Sequence, residues 1–247
     1  MPLLNSTKDA QKNMSKISIS YCIPVHNEHF ELDLLINQLL KFLNENDEIL
    51  IQGDQGKVTD QVVSVIRKHH RNRQVKYIEY PLNKDFASFK NNLIKNSIGD
   101  YIFQVDADEL VSTVLLENLK FILIENSEID LFRLPRLNIV QGLLDDQVKQ
   151  WGWRKDKMFV EKLDYSTKDI LDKYSLGLDF VFAINWPDRQ SRLFKRKESI
   201  HWQNKVHEVI VGMNSFADLP DTDFDYCLFH VKTAHRQLTQ NKFYETI

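Results

Sequence analysis

The chain has 247 residues, a formal net charge of −3, 43% hydrophobic residues and 27% charged residues. These values predict a folded globular protein of one large domain, with or without an appendage, and exclude a disordered chain. The small negative charge gives no reason to expect nucleic acid as a partner. No apolar run reaches the roughly 18 residues of a membrane span, so at most peripheral membrane contact is expected. Two cysteines are too few for a disulfide framework, which makes a cytoplasmic location the expectation.

The first half of the chain alternates strand-like and helix-like patterns after a polar stretch, 1–16, that we expect to be a flexible tail. Strands are predicted at 17–23, 47–52, 74–80 and 101–105, and helices at 30–43, 59–70 and 85–97. Thr59 is a plausible N-cap, and Pro24 is expected to end the first strand. This alternation predicts an α/β fold with a mostly parallel central sheet flanked by helices.

The second half of the chain is less regular. Strands are predicted at 129–134 and 190–195, and a terminal helix is predicted at 234–246. The segment 138–173 is rich in charged and aromatic residues and receives no assignment. We therefore expect a single domain, 17–247, with an irregular C-terminal half.

Polar loops follow the four strands of the first half, at 24–28 (PVHNE), 53–56 (GDQG), 81–85 (PLNKD) and 106–109 (DADE). Ligands bind beyond the carboxyl ends of the strands in an open parallel sheet. Three of the loops carry acidic residues without an obvious cation beside them. Carboxylates gathered at one edge repel each other unless a metal or a cationic ligand neutralises them, so the pattern favours such a site.

The strongest local signal is the pair Asp106 and Asp108, which directly follows the apolar run YIFQV. That strand would deliver both carboxylates to the sheet edge. Mg²⁺ and Mn²⁺ prefer oxygen ligands and need few protein contacts when phosphates supply the rest. The alternative is a turn that caps a helix, since aspartate suits both positions.

Taken together, these segments resemble the family 2 glycosyltransferases of GT-A (Rossmann-like) fold. The resemblance rests on the order and spacing of Ser18–Glu28, the Asp54 loop, Asn83–Asn91 and Gly99–Glu109, and covers roughly 17–110. It continues more weakly through Asn185–Phe194, Lys205–Glu208 and Phe229–Lys232. Those later segments are similar to a subset that includes bacterial lipopolysaccharide-core and peptide glycosyltransferases.

The resemblance implies an inverting glycosyltransferase that depends on a divalent metal, Mn²⁺ or Mg²⁺. The donor would be a nucleotide sugar, with a UDP-sugar as first choice. The acceptor would be a hydroxyl of a saccharide, a lipid-linked glycan or a peptide. Residues 17–110 would form the nucleotide-sugar-binding half and residues 111–247 the acceptor-binding half.

The resemblance also implies roles for individual residues. Donor-binding residues would be Pro24, Val25, His26, Asn27, Glu28, Asp54, Lys90, Asp106 and Ala107, and metal ligands would be Asp106, Asp108 and His230. Simpler interpretations stay open for several of these residues. Asp54 could be a turn residue, Lys90 a solvated helix lysine and His230 a packed core histidine.

Direct displacement at an anomeric carbon needs a base that takes the acceptor's proton. Glu208 in KVHE and Asp188 in NWPDRQ are the candidate bases downstream of the D-x-D pair. We favour Glu208 because it follows a short, motif-like run, whereas Asp188 could be a turn residue after Pro187. Arg192 could bind phosphate or pair with an acidic residue.

Two other functions compete with glycosyl transfer. A sugar nucleotidyltransferase also has an α/β fold with paired carboxylates, but it normally has a glycine-rich, basic loop after the first strand, and PVHNE is neither. A non-catalytic nucleotide-sugar-binding module would keep the loops of the first half without needing Glu208 or Asp188. Turnover of a nucleotide sugar distinguishes this second alternative.

Overall fold

The computed structural model describes residues 16–159, 168–169, 172–174 and 180–244. The predicted tail lies outside these residues except for Lys16. The strands are β1 (Ile19–Val25), β2 (Glu48–Asp54), β3 (Val75–Tyr80), β4 (Tyr101–Gln104), β5 (Glu109–Val111), β6 (Leu131–Gln141), β7 (Lys155–Phe159), β8 (Phe180–Lys195), β9 (His201–Gln203), β10 (Val209–Val211), β11 (Phe216–Asp218) and β12 (Leu228–Thr233). The helices are α1 (His29–Leu39), α2 (Asp60–His69), α3 (Phe86–Asn96), α4 (Thr113–Glu125), α5 (Asp145–Gln150) and α6 (Ala234–Tyr244).

The chain divides into two compact units, and neither is continuous in sequence. Among the described residues, the first unit comprises 16–107, Leu116–Phe132 and Ser191–Ala217. The second unit comprises Asp108–Leu115 and the described parts of Arg133–Gln190 and Asp218–Ile247. The functional halves predicted from the sequence, 17–110 and 111–247, stay a prediction.

A parallel sheet in the order β3-β2-β1-β4 organises the first unit. The end of β8 adds an antiparallel strand beside β4, with Phe103 opposite Leu193. The predicted parallel arrangement of the first four strands is therefore confirmed. Because parallel strands end at the same edge, the loops that follow them share that edge.

Local chemistry explains where the helices and strands of the first unit begin. The Thr59 hydroxyl accepts a hydrogen bond from the Val62 N–H at 3.4 Å, as the predicted N-cap should. The Asp85 carboxylate caps α3 by accepting from the Ser88 N–H at 2.9 Å. Before β4, Gly99 lies so close to β1 that a Cβ atom there would be 2.5 Å from the Ser20 nitrogen. A larger residue at 99 would therefore push β4 away from β1.

Strand β1 and helix α4 depart from the sequence prediction, and the short strands β9, β10 and β11 were not predicted either. Strand β1 continues through Pro24 to Val25, although Pro24 was expected to end it. The ladder between β1 and β4 ends at Cys22, so Pro24 has only β2 as a neighbour and occupies the edge-like position that proline tolerates. Helix α4 was not predicted; its sequence TVLLENLKFILIE is apolar on most sides and lacks a clear helical stripe.

In the second unit, β12 pairs in parallel with β6 and antiparallel with β5. Strand β8 lies next to β6 and pairs antiparallel with β7. Both β6 and β8 are far longer than the predicted strands at 129–134 and 190–195. A small apolar core forms around Val140, Ile184 and Ala234. Within the described ranges, no helix has the length and hydropathy needed to cross a membrane.

Candidate functional site

The loop after β1 is held in shape by its own glutamate. One carboxylate oxygen of Glu28 accepts hydrogen bonds from the backbone N–H groups of His26, at 2.8 Å, and Asn27, at 3.0 Å. Glu28 is also the N-cap residue of α1, where a negative charge complements the helix dipole. The side chains of His26 and Asn27 are exposed, whereas Val25 is buried. The loop therefore presents two polar side chains from a fixed backbone.

Asp54 ends β2 and links two of the predicted ligand loops. Its side chain is buried, and Oδ1 accepts a hydrogen bond from the Leu82 N–H at 2.9 Å. The exposed Lys57 ammonium lies 3.2 Å from Oδ2. Asp54 therefore has a structural role, because its hydrogen bond joins the GDQG loop to the PLNKD loop.

Asp106, in the loop after β4, forms an ion pair with Arg192 of β8. The Arg192 side chain is only 3% exposed, so Asp106 neutralises a buried charge. Of the two roles considered for Arg192, the structure shows the pairing with an acidic residue. The expectation that the DADE loop lacks a cation beside it is wrong, because a residue 86 positions away in the sequence supplies one.

Lys90 and Glu208 form a partly buried ion pair in the first unit. Lys90, on α3, is 7% exposed and its ammonium lies 4.6 Å from the centre of the Trp202 ring. Asn91 fixes the backbone of Trp202 through two hydrogen bonds of 2.8 Å. Lys90 is therefore not a solvated helix lysine. Among the described residues, none donates a hydrogen bond to the second carboxylate oxygen of Glu208.

Asp188, the other candidate base, accepts hydrogen bonds at both carboxylate oxygens in the second unit. Its Oδ2 accepts from Arg136 Nε at 2.9 Å and Nη2 at 2.6 Å, and from Asn138 Nδ2 at 2.8 Å. Its Oδ1 accepts from Gln190 Nε2 at 2.8 Å. Burial alone would raise the pKa of Asp188, but the charge of Arg136 and these hydrogen bonds lower it below its usual range.

Asp108 and His230 lie side by side in the same unit. The distance between Asp108 Oδ2 and His230 Nε2 is 3.0 Å, and His230 Nδ1 lies 2.8 Å from Asn138 Oδ1. Arg236 approaches the same Asp108 oxygen at 3.3 Å. Burial raises the pKa of Asp108, but the neighbouring charges of His230, Arg236 and Lys232 outweigh that effect and hold the pKa well below its usual range. Asp108 is therefore an anion in a cationic setting.

Asp108 and His230 offer an oxygen and a nitrogen atom of the kinds that divalent metals bind. The 3.0 Å between Asp108 Oδ2 and His230 Nε2 is a hydrogen-bond distance, and it is also the spacing of adjacent ligands that lie about 2.1 Å from an octahedral ion. Within the described part of the chain, no group of three His, Cys, Asp or Glu residues lies close enough to hold a metal ion. The pair fits a metal whose other ligands come from phosphate or water.

Several polar residues of the second unit were missed by the sequence analysis. Arg136 and Asn138 lie on β6, and Lys232 and Arg236 lie on β12 and α6. A usable signal was present, because Arg136 and Asn138 alternate with apolar residues in RLNIV and so point to one face of a strand. The prediction ended that strand at 134 and therefore did not use this signal.

Comparison with solved structures shows the fold to be that of GT-A glycosyltransferases. S. aureus TarS 1–349 in complex with UDP-GlcNAc matches 87% of this chain and 59% of its own with a TM-score of 0.56 and 16% identity. The complex of the same fragment with UDP gives a TM-score of 0.56 and 14% identity over 87% of this chain and 60% of that one. This chain therefore spans about 60% of the TarS fragment.

Sequence comparison agrees with the structural match. No curated protein matches the chain. The family model described as "Glycosyl transferase family 2" matches residues 20–213, which is well over half of the chain and includes all four polar loops, the D-x-D pair and both candidate bases. The chain belongs to glycosyl transferase family 2.

Proposed function

We propose that this protein transfers a sugar from a nucleotide-sugar donor to an acceptor hydroxyl with inversion at the anomeric carbon. The observation that carries the proposal is the pair of Asp108, which follows β4 in the sequence, and His230, on β12, whose Oδ2 and Nε2 atoms lie 3.0 Å apart. Family membership supports the reaction class. The crystal complexes of TarS 1–349 with UDP and UDP-GlcNAc support a UDP-sugar as the first donor to test.

The first unit supplies groups that suit a nucleoside. The Asp54 carboxylate can accept hydrogen bonds from a base N–H or from ribose hydroxyls. His26 and Asn27 offer exposed polar side chains on a loop that Glu28 holds rigid. We assign donor binding to these residues together with Pro24, Val25, Lys90, Asp106 and Ala107, as the family resemblance implies.

Asp108 and His230 are the residues that would hold the metal, and Asp106 is a further ligand proposed from the D-x-D pattern. A bound Mn²⁺ or Mg²⁺ would act as a Lewis acid that stabilises the departing diphosphate. Arg236 and Lys232 place positive charge beside Asp108. This charge would also stabilise the departing diphosphate. A diphosphate leaving group gains from both kinds of charge.

Glu208 is the better candidate for the base. A general base needs a lone pair that the acceptor hydroxyl can reach. Asp188 has four hydrogen-bond donors around it and a lowered pKa. Among the described residues, Glu208 accepts a hydrogen bond from Lys90 alone, at Oε1, so that Oε2 would be left for the acceptor. A single displacement with this base inverts the sugar.

Release of UDP from UDP-GlcNAc in the presence of Mn²⁺ tests the proposal directly. Turnover excludes the non-catalytic binding module, and the absence of pyrophosphate release from UTP and a sugar 1-phosphate excludes the nucleotidyltransferase. If no nucleotide sugar in a panel of UDP- and GDP-linked donors is turned over or bound, glycosyl transfer is wrong for this chain.

Asp108→Asn tests the metal assignment because it removes the charge and keeps the shape. Mn²⁺ affinity, measured by electron paramagnetic resonance, should fall by more than the roughly 10–100-fold typical of outer-shell substitutions. Asp146→Asn, at an exposed position of α5, is the matched control. Donor turnover by Asp108→Asn at the wild-type rate would remove Asp108 from the metal site.

A further inference from the structure

A basic run, 67–73 (RKHHRNR), ends α2 and forms the turn before β3. The side chains of Arg67, Arg71 and Arg73 are exposed. Lys68 is neutralised by Asp33, whose carboxylate oxygens accept hydrogen bonds from its ammonium at 2.8 Å and 2.7 Å. Among the described residues, none forms an ion pair or a hydrogen bond with the three guanidinium groups. The basic run therefore carries three uncompensated charges in a chain whose formal net charge is −3.

The helix dipole explains only part of the basic run. A cation in the last turn of a helix complements the dipole, and this accounts for Arg67. It does not account for Arg71 and Arg73, because α2 ends at His69. The turn that carries them is fixed by its backbone, since the Asn72 N–H donates to the His69 carbonyl at 3.0 Å. Two exposed arginines are thus held out from a fixed turn.

The basic run lies at the edge of the parallel sheet that is opposite to the polar loops. Helix α2 begins after β2 and leads back to the start of β3, which is parallel to β2, so its last turn lies at the amino ends of the strands. The loops 24–28, 53–56 and 81–85 follow the carboxyl ends of the same strands. A partner bound by the basic run therefore leaves these loops open to solvent.

An exposed aliphatic side chain lies at the same edge as the basic run. Ile98, between α3 and β4, is 59% exposed. The buried Glu48 carboxylate joins it to β3, because it accepts hydrogen bonds from the Ile98 N–H at 2.7 Å and from Lys76 Nζ at 2.8 Å. Lys76 is three residues beyond Arg73. Cationic groups beside an exposed aliphatic group are typical of surfaces that bind the interface of an anionic bilayer.

We propose that Arg67, Arg71, Arg73 and Ile98 form a docking surface for an anionic membrane. The arginines would contact the phosphates of the headgroups, and Ile98 would enter the layer beneath them. Ile98 favours lipid over nucleic acid, because a nucleic-acid backbone offers charge but no apolar layer. Each arginine near an anionic surface strengthens binding about fivefold, so that three give about 100-fold. This docking does not depend on the reaction that the protein catalyses.

Co-sedimentation with vesicles tests the proposal. Wild type should bind vesicles of phosphatidylcholine mixed with phosphatidylglycerol and should not bind phosphatidylcholine alone. Raising the ionic strength from about 0.1 M to 1 M should release it, because the Debye length falls from about 10 Å to 3 Å. Replacing all three arginines with glutamine should weaken binding about 100-fold, and Ile98→Ser should weaken it less. Wild type that does not bind the anionic vesicles overturns the proposal, as does a triple variant that binds like wild type.

An acidic side chain near the basic run gives a test of opposite sign. The Gln74 side chain, next to Arg73, donates to the Asn44 carbonyl at 2.6 Å, and the exposed Glu45 follows Asn44. Glu45→Gln removes a negative charge beside the proposed surface and should strengthen vesicle binding by up to about fivefold. Weaker binding by this variant would contradict the assignment of the surface.

Single variants separate the surface from the net charge. Arg71→Lys keeps the charge and should bind like wild type, whereas Arg71→Gln should bind about fivefold more weakly. Lys149→Gln, at an exposed position of α5, changes the net charge equally and is the matched control. Equal losses in Lys149→Gln and Arg71→Gln would refute the assigned surface, and thermal melting should show that each variant is folded. Tighter binding of wild type to duplex DNA than to anionic vesicles would assign the arginines to nucleic acid and overturn the proposal.

Discussion

Glu208→Gln should lower kcat and stability together, and the structure explains why the two effects must be separated. Loss of a general base typically lowers kcat by about 10²–10⁴. Glu208 also neutralises Lys90, and the two side chains are only 16% and 9% exposed. A hydrogen bond to a charged group contributes about 1.5–3 kcal/mol, and glutamine keeps an acceptor, so we expect a loss of about 1–2 kcal/mol. That loss corresponds to a Tm about 2–8 °C lower.

The assay combines steady-state kinetics, calorimetry with UDP and thermal melting. The double variant Lys90→Met/Glu208→Gln removes the uncompensated ammonium and should recover most of the lost Tm, while kcat stays low. Glu198→Gln, at an exposed position of the same unit, is the matched control and should change neither quantity.

Three outcomes would refute this reasoning. A near-normal kcat in Glu208→Gln with a large loss in Asp188→Asn would transfer the base to Asp188. A collapse of UDP affinity in Glu208→Gln would place Glu208 in the donor site. A Tm unchanged by Glu208→Gln would mean that the ion pair with Lys90 contributes nothing to folding.

Two further predictions concern buried aspartates of the first unit. Asp54→Asn should weaken UDP binding by about 1–3 kcal/mol, measured by calorimetry, while the Leu82 N–H keeps its acceptor and the Tm changes little; unchanged affinity would remove Asp54 from the donor site. Hydrogen bonds from Lys197 and the Asn214 N–H lower the pKa of Asp130 to about 2. Because the folded-state pKa is lowered, the ionised carboxylate stabilises the fold above the unfolded pKa near 4, and this stabilisation is lost as the pH falls towards 2. The free energy of unfolding, measured in urea, should therefore fall by up to about 2 kcal/mol less between pH 4 and pH 2 in Asp130→Asn than in wild type. An equally large fall in the variant would contradict this prediction.

The parallel sheet of the first unit could be predicted because its signals are local. Each strand is a short segment of apolar or alternating residues, and each following helix has a cap or an apolar stripe that the sequence displays, such as Thr59 before α2. The second unit lacks such signals, since its strands β6 and β8 are long, interrupted by polar residues and paired with distant partners. Strand β6 pairs with β12, which places Asn138 opposite a histidine 92 residues away in the sequence.

The candidate site could be predicted as a set of residue types but not as a set of contacts. The D-x-D pair is visible because it directly follows an apolar strand. The partner of each carboxylate is not visible, because Arg192 and His230 come from remote segments. The sequence analysis inferred a metal from the repulsion between carboxylates at the sheet edge, and it did not count the charge of Arg192. The proposal of a metal now rests on the contact between Asp108 and His230 instead.

The choice between the two candidate bases shows what contacts add to composition. In sequence, Glu208 and Asp188 are both carboxylates near a short motif, and only the motif-like run before Glu208 and the proline before Asp188 favour Glu208. In the structure, Asp188 is surrounded by Arg136, Asn138 and Gln190, so its carboxylate is stabilised as an anion and gains little by accepting a proton. Within the described part of the chain, Glu208 accepts a hydrogen bond from Lys90 alone, at one of its two carboxylate oxygens. A carboxylate held by several donors gains less by taking up a proton than one held by a single donor, and for this reason the mechanism that we propose assigns the base to Glu208.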